Sequence, residues 1–175
     1  MTYRSDRLAS RWGFLGVSFF ALGLATLGGC TAEVGDSCET NIECSSMGDR
    51  VCDTAQAGGY CTIQGCVATS CPSEAVCVAF FPTNLLSQAC DPLREDAVDP
   101  AVQATDDCRE DEICLSSGFC ARVAQETRFC MRTCEHDDDC RDGYECRLTG
   151  TSGGEAVLDP LHPERREFRY CAQRL

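Results

Sequence analysis

The chain has 175 residues, 17 of them Cys, and 28 acidic against 15 basic residues for a net charge of −13. A field of that sign repels nucleic acid, so no nucleic-acid partner is expected. The cysteine density excludes an ordinary reducing-compartment domain, and the length allows one domain or two small ones.

The first 11 residues hold Arg4, Arg7 and Arg11, and residues 12–27 carry no charge. A basic segment, an apolar run and then small residues is the order of a secretory signal peptide. The apolar run is too short for the ~20 residues of a spanning helix. Residues 1–29 are therefore read as a leader. It ends at Leu27-Gly28-Gly29-Cys30, which resembles a bacterial lipobox. An aliphatic residue and two small ones let signal peptidase II reach the bond before Cys30. The Cys30 thiol is the predicted site of diacylglyceryl and palmitate attachment. Several acyl chains on one residue hold a protein stably on a bilayer. Thr31, where an inner-membrane retention signal carries Asp, points to the outer membrane. Residues 30–37 are the expected lipidated N-terminus and tether.

With Cys30 acylated, 16 Cys remain, an even number. They amount to about 11% of the chain beyond residue 29, above the ~8–10% that marks a disulfide scaffold. No two are spaced C-x2-C, and His136 and His162 are the sole His, so metal sites are not expected. Disulfides require an exported, oxidising location. The sixteen fall into two runs of eight. The first is Cys38, Cys44, Cys52, Cys61, Cys66, Cys71, Cys77 and Cys90. The second is Cys108, Cys114, Cys120, Cys130, Cys134, Cys140, Cys146 and Cys171. Their spacings agree closely except at the last gap, and Cys71–Cys77 and Cys140–Cys146 are flanked alike. The expected fold is small and disulfide-rich, with two tandem eight-cysteine modules (38–90 and 108–175), short β-hairpins, long loops and little helix outside the signal peptide. Eight cysteines allow 105 pairings per module; equivalent cysteines are expected to pair equivalently.

In chain order, Ala75–Phe80 reads as a strand, and residues 91–107, with two Pro and six acidic residues, as a solvated linker. Residues 113–115 and 119–121 form a predicted hairpin around Gly118. Asp142-Gly143 marks a tight turn. Residues 147–170 are expected as a long surface loop and 167–171 as a final strand. Aromatic residues stand just before Cys61, Cys120, Cys130 and Cys171 and are expected to cover disulfides.

The segments Gly59-Tyr-Cys-Thr62, Cys71-Pro72, Cys77-Val-Ala-Phe80 and Asp138-Asp-Cys-Arg-Asp-Gly-Tyr-Glu-Cys146 carry a resemblance. Through them the chain resembles a group of cysteine-rich lipoproteins from gliding soil bacteria, some of which are similar to the N-terminal domain of dickkopf-type secreted ligands. The resemblance implies an architecture and no activity.

Three segments invite chemistry. Gly150-Thr-Ser-Gly-Gly154 has the letters of a nucleophile elbow, with Asp159 and His162 following, but lacks the buried strand and helix that orient such a serine. The acidic turn Asp137, Asp138, Asp139, Asp142 and Glu145 has ligands suited to calcium but does not fit an EF-hand. Arg165, Arg166, Arg169 and Arg174 form a basic tail expected to pair within the chain. No catalytic residue and no cofactor is predicted. The expected function is a membrane-anchored, non-enzymatic binding or structural module at the cell envelope, with an unknown protein or glycan ligand. An anchored protease inhibitor is the alternative.

Overall fold

The computed structural model describes residues 32–97, 100–161 and 167–174. The leader, Leu27, Gly28, Gly29, Cys30, Thr31, His162, Arg165 and Arg166 lie outside them. Short antiparallel strands dominate: β1 (Val51–Cys52), β2 (Cys61–Thr62), β3 (Ala75–Phe80), β4 (Glu112–Cys114), β5 (Cys120–Arg122), β6 (Thr127–Arg132), β7 (Tyr144–Leu148), β8 (Gly154–Ala156) and β9 (Arg169–Gln173). One turn of helix, α1 (Asn41–Cys44), and three short 3₁₀ segments are the helical content among the described residues. The small disulfide-rich build with little helix is the one expected. The strand at Ala75–Phe80, the hairpin around Gly118 and the Gly143 turn stand where they were expected.

All sixteen cysteines after Cys30 are bridged, and one rule generates every bridge. The pairs are Cys38–Cys52 and Cys44–Cys61, Cys66–Cys77 and Cys71–Cys130, Cys90–Cys114 and Cys108–Cys120, Cys134–Cys146 and Cys140–Cys171. Taken in fours, each set joins its first cysteine to its third and its second to its fourth. The third and fourth are always direct cross-strand partners: Cys52 opposite Cys61, Cys77 opposite Cys130, Cys114 opposite Cys120, and Cys146 opposite Cys171. Directly opposed residues on an antiparallel pair project from the same face about 5 Å apart. Two sulfurs thus stand side by side on each hairpin, and the loop before it delivers their two partners.

The repeat is accordingly a four-cysteine unit, finer than the two eight-cysteine runs. The third unit (Cys90–Cys120) is nested inside the second, between Cys77 and Cys130. Spacing alone hides this, because the widest early gap, residues 91–107, falls between the first and second cysteines of the nested unit. The first–third and fifth–seventh positions of both runs pair alike. Cys71 and Cys90 instead bridge to Cys130 and Cys114 across the expected module boundary. In the last three units the second cysteine opens a C-x5-C turn closed by the same hydrogen bond. Ala75, Glu112 and Tyr144 donate their amides to the carbonyls of Pro72 (2.9 Å), Arg109 (2.8 Å) and Arg141 (3.0 Å). Each donor begins a strand and is buried.

The units share one core. β3 is the centre of a three-stranded sheet, paired with β6 over six residues and with β8 over three. Val34, Tyr60, Val78, Met131, Tyr144 and Tyr170 lie within the core around it. A smaller cluster of Ala79, Phe81, Leu115 and Ala121 seats the nested unit on the second. There the Glu155 carboxylate accepts from the Ser116 amide (3.1 Å) and hydroxyl (2.7 Å). Tyr60 and Tyr170 cover disulfides as expected, whereas Phe119 is 44% exposed.

Two expected loops are more ordered than composition suggested. Residues 91–107 fold back on themselves: Thr105 donates its amide to Arg94 (2.8 Å), and the Glu95 carboxylate accepts the amides of Asp107 (2.9 Å) and Cys108 (2.7 Å). The segment is a loop inside one unit, where sequence placed a linker between two. Within residues 147–170, Gly154–Ala156 joins the sheet, so the surface loop is shorter than read.

Two glycines separate backbone need from space. Gly59 and Gly65 have φ of +65° and +67°, a region glycine enters without strain. A Cβ on Gly59 would lie 1.9 Å from the Cys38 carbonyl oxygen, and one on Gly65 would meet nothing within 4 Å. Gly65→Ala is expected to cost about 1 kcal/mol. Gly59→Ala is expected to prevent recovery of the native disulfide set in oxidative refolding, read by chromatography.

Candidate functional site

The sites expected from sequence fare differently in the fold. Cys30 and the residues before it lie outside the described region. Ala32 and Val34, immediately after it, are folded in: Val34 is fully buried, and Gly35 donates its amide to Cys61 (2.9 Å). Among the described residues no helix is long and apolar enough to cross a membrane.

Sulfurs of Cys38, Cys44 and Cys52 lie within 4.8 Å of one another, as do those of Cys66, Cys71 and Cys130, of Cys90, Cys108 and Cys114, and of Cys134, Cys140 and Cys171. Each group is the meeting point of one unit's two bridges. Bridged sulfur offers no thiolate, which is the form that ligates zinc.

Ser152 sits at φ 51° in an exposed turn, followed by β8 where an elbow would carry a helix. Asp159 accepts the Leu161 amide (2.9 Å). The acidic turn is used locally. Asp137 accepts the Cys146 amide (2.8 Å) and pairs with Arg174 (3.4 Å). Asp139 accepts the amides of Glu135 (2.8 Å) and His136 (2.9 Å), which hold its carboxyl below the usual carboxylate range. Asp137 and Asp139 thus cap backbone, and Glu145 pairs with Arg147 (2.6 Å). Arg174 bears the intramolecular pairing expected of the basic tail, and its Nε also donates to the Tyr144 carbonyl (3.0 Å).

Sequence reading missed the junction of the first and fourth units. The Tyr60 and Tyr144 rings stack with centroids 5.6 Å apart. The Arg141 guanidinium lies 4.2 Å from the Tyr144 centroid and 5.5 Å from that of Tyr60. Its Nη2 donates to the carbonyls of Ala57 (3.0 Å) and Gly59 and to the Tyr144 hydroxyl, which itself donates to Ala57 (3.1 Å). The Arg132 amide donates to the Tyr60 hydroxyl (3.0 Å), tying in the second unit. Burial pushes Tyr60 up to about 12, outweighing that hydrogen bond. Burial also raises Tyr170, against the pull of the nearby Arg147 guanidinium. The signal was present in Cys140-Arg-Asp-Gly-Tyr-Glu-Cys146, whose Arg and Tyr are brought beside Tyr60 by the C-x5-C turn.

A concavity of about 940 Å³ forms an open cleft where β6 ends and β9 begins. Arg132, Glu135, Asp139, Glu167, Phe168 and Arg169 line it. Charges of both signs flank one aromatic ring there. Arg132 pairs with Glu33 (3.2 Å) and approaches Asp36 (3.8 Å).

Comparisons with protein-family models, with curated proteins and with solved structures each gave no match. The fold and surface define a small disulfide-rich extracellular-type module.

Arg141→Ala is expected to cost about 2–4 kcal/mol, the sum of a cation–π contact and charged hydrogen bonds; chemical denaturation measures it. Tyr60 gives a pH signature. Because its folded pKa lies above the unfolded value of 10.0, its contribution is complete below pH 10 and is lost as pH rises toward about 12. That contribution is on the order of 2–3 kcal/mol. Ultraviolet titration of the folded protein is expected to show Tyr60 ionising only as pH approaches about 12.

Proposed function

We propose that the protein is an envelope-anchored lipoprotein whose disulfide-stapled ectodomain is a non-enzymatic binding module. The leader and Leu27-Gly28-Gly29-Cys30 support anchoring, with Thr31 favouring the outer membrane and the likeness to cysteine-rich bacterial lipoproteins in agreement. The observation that carries the binding reading is the cleft lined by Phe168, Arg169, Glu135 and Glu167 on a frame that sixteen bridged cysteines hold rigid. Rigid frames that present loops and clefts generally serve recognition. The ligand class the cleft fits is a protein or glycan with charges of both signs and one stackable group.

One observation favours a second reading, protease inhibition. Leu158 and Leu161, 43% and 81% exposed, flank Pro160 on the loop after β8. Such a loop is presentable to an active site, and a panel of proteases tests it directly.

The anchoring claim predicts diacylglyceryl on an N-terminal Cys30 in mass spectra of the native protein. Cys30→Ser is expected to release it from the membrane fraction; an unmodified Cys30 contradicts the claim. For binding, Phe168→Ala with Arg169→Glu is expected to abolish capture of an envelope protein or glycan that the unaltered ectodomain enriches, with circular dichroism unchanged.

A further inference from the structure

The fold leaves no slack between the candidate anchor and the first unit. Ala32 packs on the cluster of Cys38, Cys44 and Cys61, and its carbonyl accepts a hydrogen bond from Arg50 Nη1. Glu33 donates its amide to Asp36 (2.8 Å), and Val34 is in the core. Only two residue steps separate Ala32 from Cys30. They span at most about 7 Å, comparable with the ~5–8 Å headgroup layer on each side of a bilayer. A domain tied that closely cannot stand clear of the lipid.

The same end carries exposed apolar side chains. Ile42 is 79% and Met47 91% exposed. Ile42 lies two residues before Cys44, a member of the cluster Ala32 packs on, and Met47 three before Arg50, which donates to the Ala32 carbonyl. The loop between them is held in shape by Ser45, whose hydroxyl accepts the amides of Met47 (3.1 Å) and Gly48 (3.2 Å). Met47 is thus presented from a built turn beside the point where the chain leaves for Cys30. Residues 33–53 carry six acidic side chains, Glu33, Asp36, Glu39, Glu43, Asp49 and Asp53, against the single basic Arg50, so attraction to anionic lipid is not what holds this end.

We propose that the first four-cysteine unit is the membrane-facing end of the molecule, with Ile42 and Met47 inserted among the lipid headgroups beside acylated Cys30. The proposal rests on the lipoprotein reading above, and its occupant is the bilayer that carries the protein's own acyl chains. The cleft lies beside this end, because Arg132 on its wall pairs with Glu33 (3.2 Å), while the nested third unit is seated on the second.

The test uses acylated, full-length processed protein in phosphatidylcholine vesicles with and without brominated acyl chains. The sole Trp, Trp12, lies in the leader and departs with it, so Met47→Trp and Leu93→Trp variants each carry one reporter. Leu93, in the nested unit, is 82% exposed. The Met47→Trp variant is expected to lose most of its emission to brominated lipid and to shift to the blue, while the Leu93→Trp variant keeps its emission. Equal quenching of the two, or a blue shift at Met47→Trp without quenching, overturns the proposal. Mass spectrometry of the same preparations separates the failures. Unquenched Met47→Trp on acylated Cys30 overturns the orientation alone, and an unacylated Cys30 overturns the anchor reading and the orientation together.

Discussion

Everything in this fold depends on two cysteines facing each other across an antiparallel strand pair. Opposed residues share a face, so the third and fourth sulfurs of a unit sit side by side, and each takes its bridge from a different point in the preceding loop. The crossed pairing fixes the hairpin and the loop at once. It does so with strands as short as two residues, which hydrogen bonds alone would not hold. In the chain-entropy account a bridge closing ~15 residues contributes roughly 3 kcal/mol, and six of the eight here span 11 to 24 residues. That explains how a chain with so few large apolar residues reaches a defined structure.

The units are joined by polar and aromatic contacts as much as by apolar ones. Arg141, between Tyr144 and Tyr60, closes the fourth unit onto the first. Tyr60 reaches the second through Arg132, and Glu155 reaches the nested third through Ser116. Burial raises the pKa of Glu155, and the Ser116 amide and hydroxyl, which favour the carboxylate, only partly offset it. Its contribution is present below the ordinary Glu range and declines as pH rises through the raised value. Tyr60 acts at the other extreme, holding through neutral pH and failing in alkali. The nested unit and the first–fourth junction thus respond to opposite ends of the pH scale.

Much of this was legible from the chain. Ala75–Phe80 is a short continuous apolar run of strand length, Gly118 and Gly143 mark turns, and cysteine parity after Cys30 calls for complete pairing. The nesting was not legible, because spacing is a local signal and a nested unit moves a partner far along the chain: Cys130 completes a unit opened at Cys66. The C-x5-C segment at Cys108–Cys114 was aligned with Cys38–Cys44, although its fold matches Cys71–Cys77. Residues 91–107 looked like a linker because Glu95 is acidic by composition; its use in binding two backbone amides depends on a fold that composition does not report. The cleft is assembled from residues 132–139 and 167–169, which no window of sequence places together.

A stapled frame that sits close to its candidate anchor and bears a mixed-charge cleft beside that end is what the proposed binding role rests on. That picture stands on the unit architecture, and the pairing of four cysteines decides it. Peptide mapping of the unreduced native protein measures this directly. The account predicts peptides joined through Cys71–Cys130 and Cys90–Cys114. Peptides joined through Cys71–Cys90 and Cys114–Cys130, as two independent eight-cysteine modules would give, contradict it.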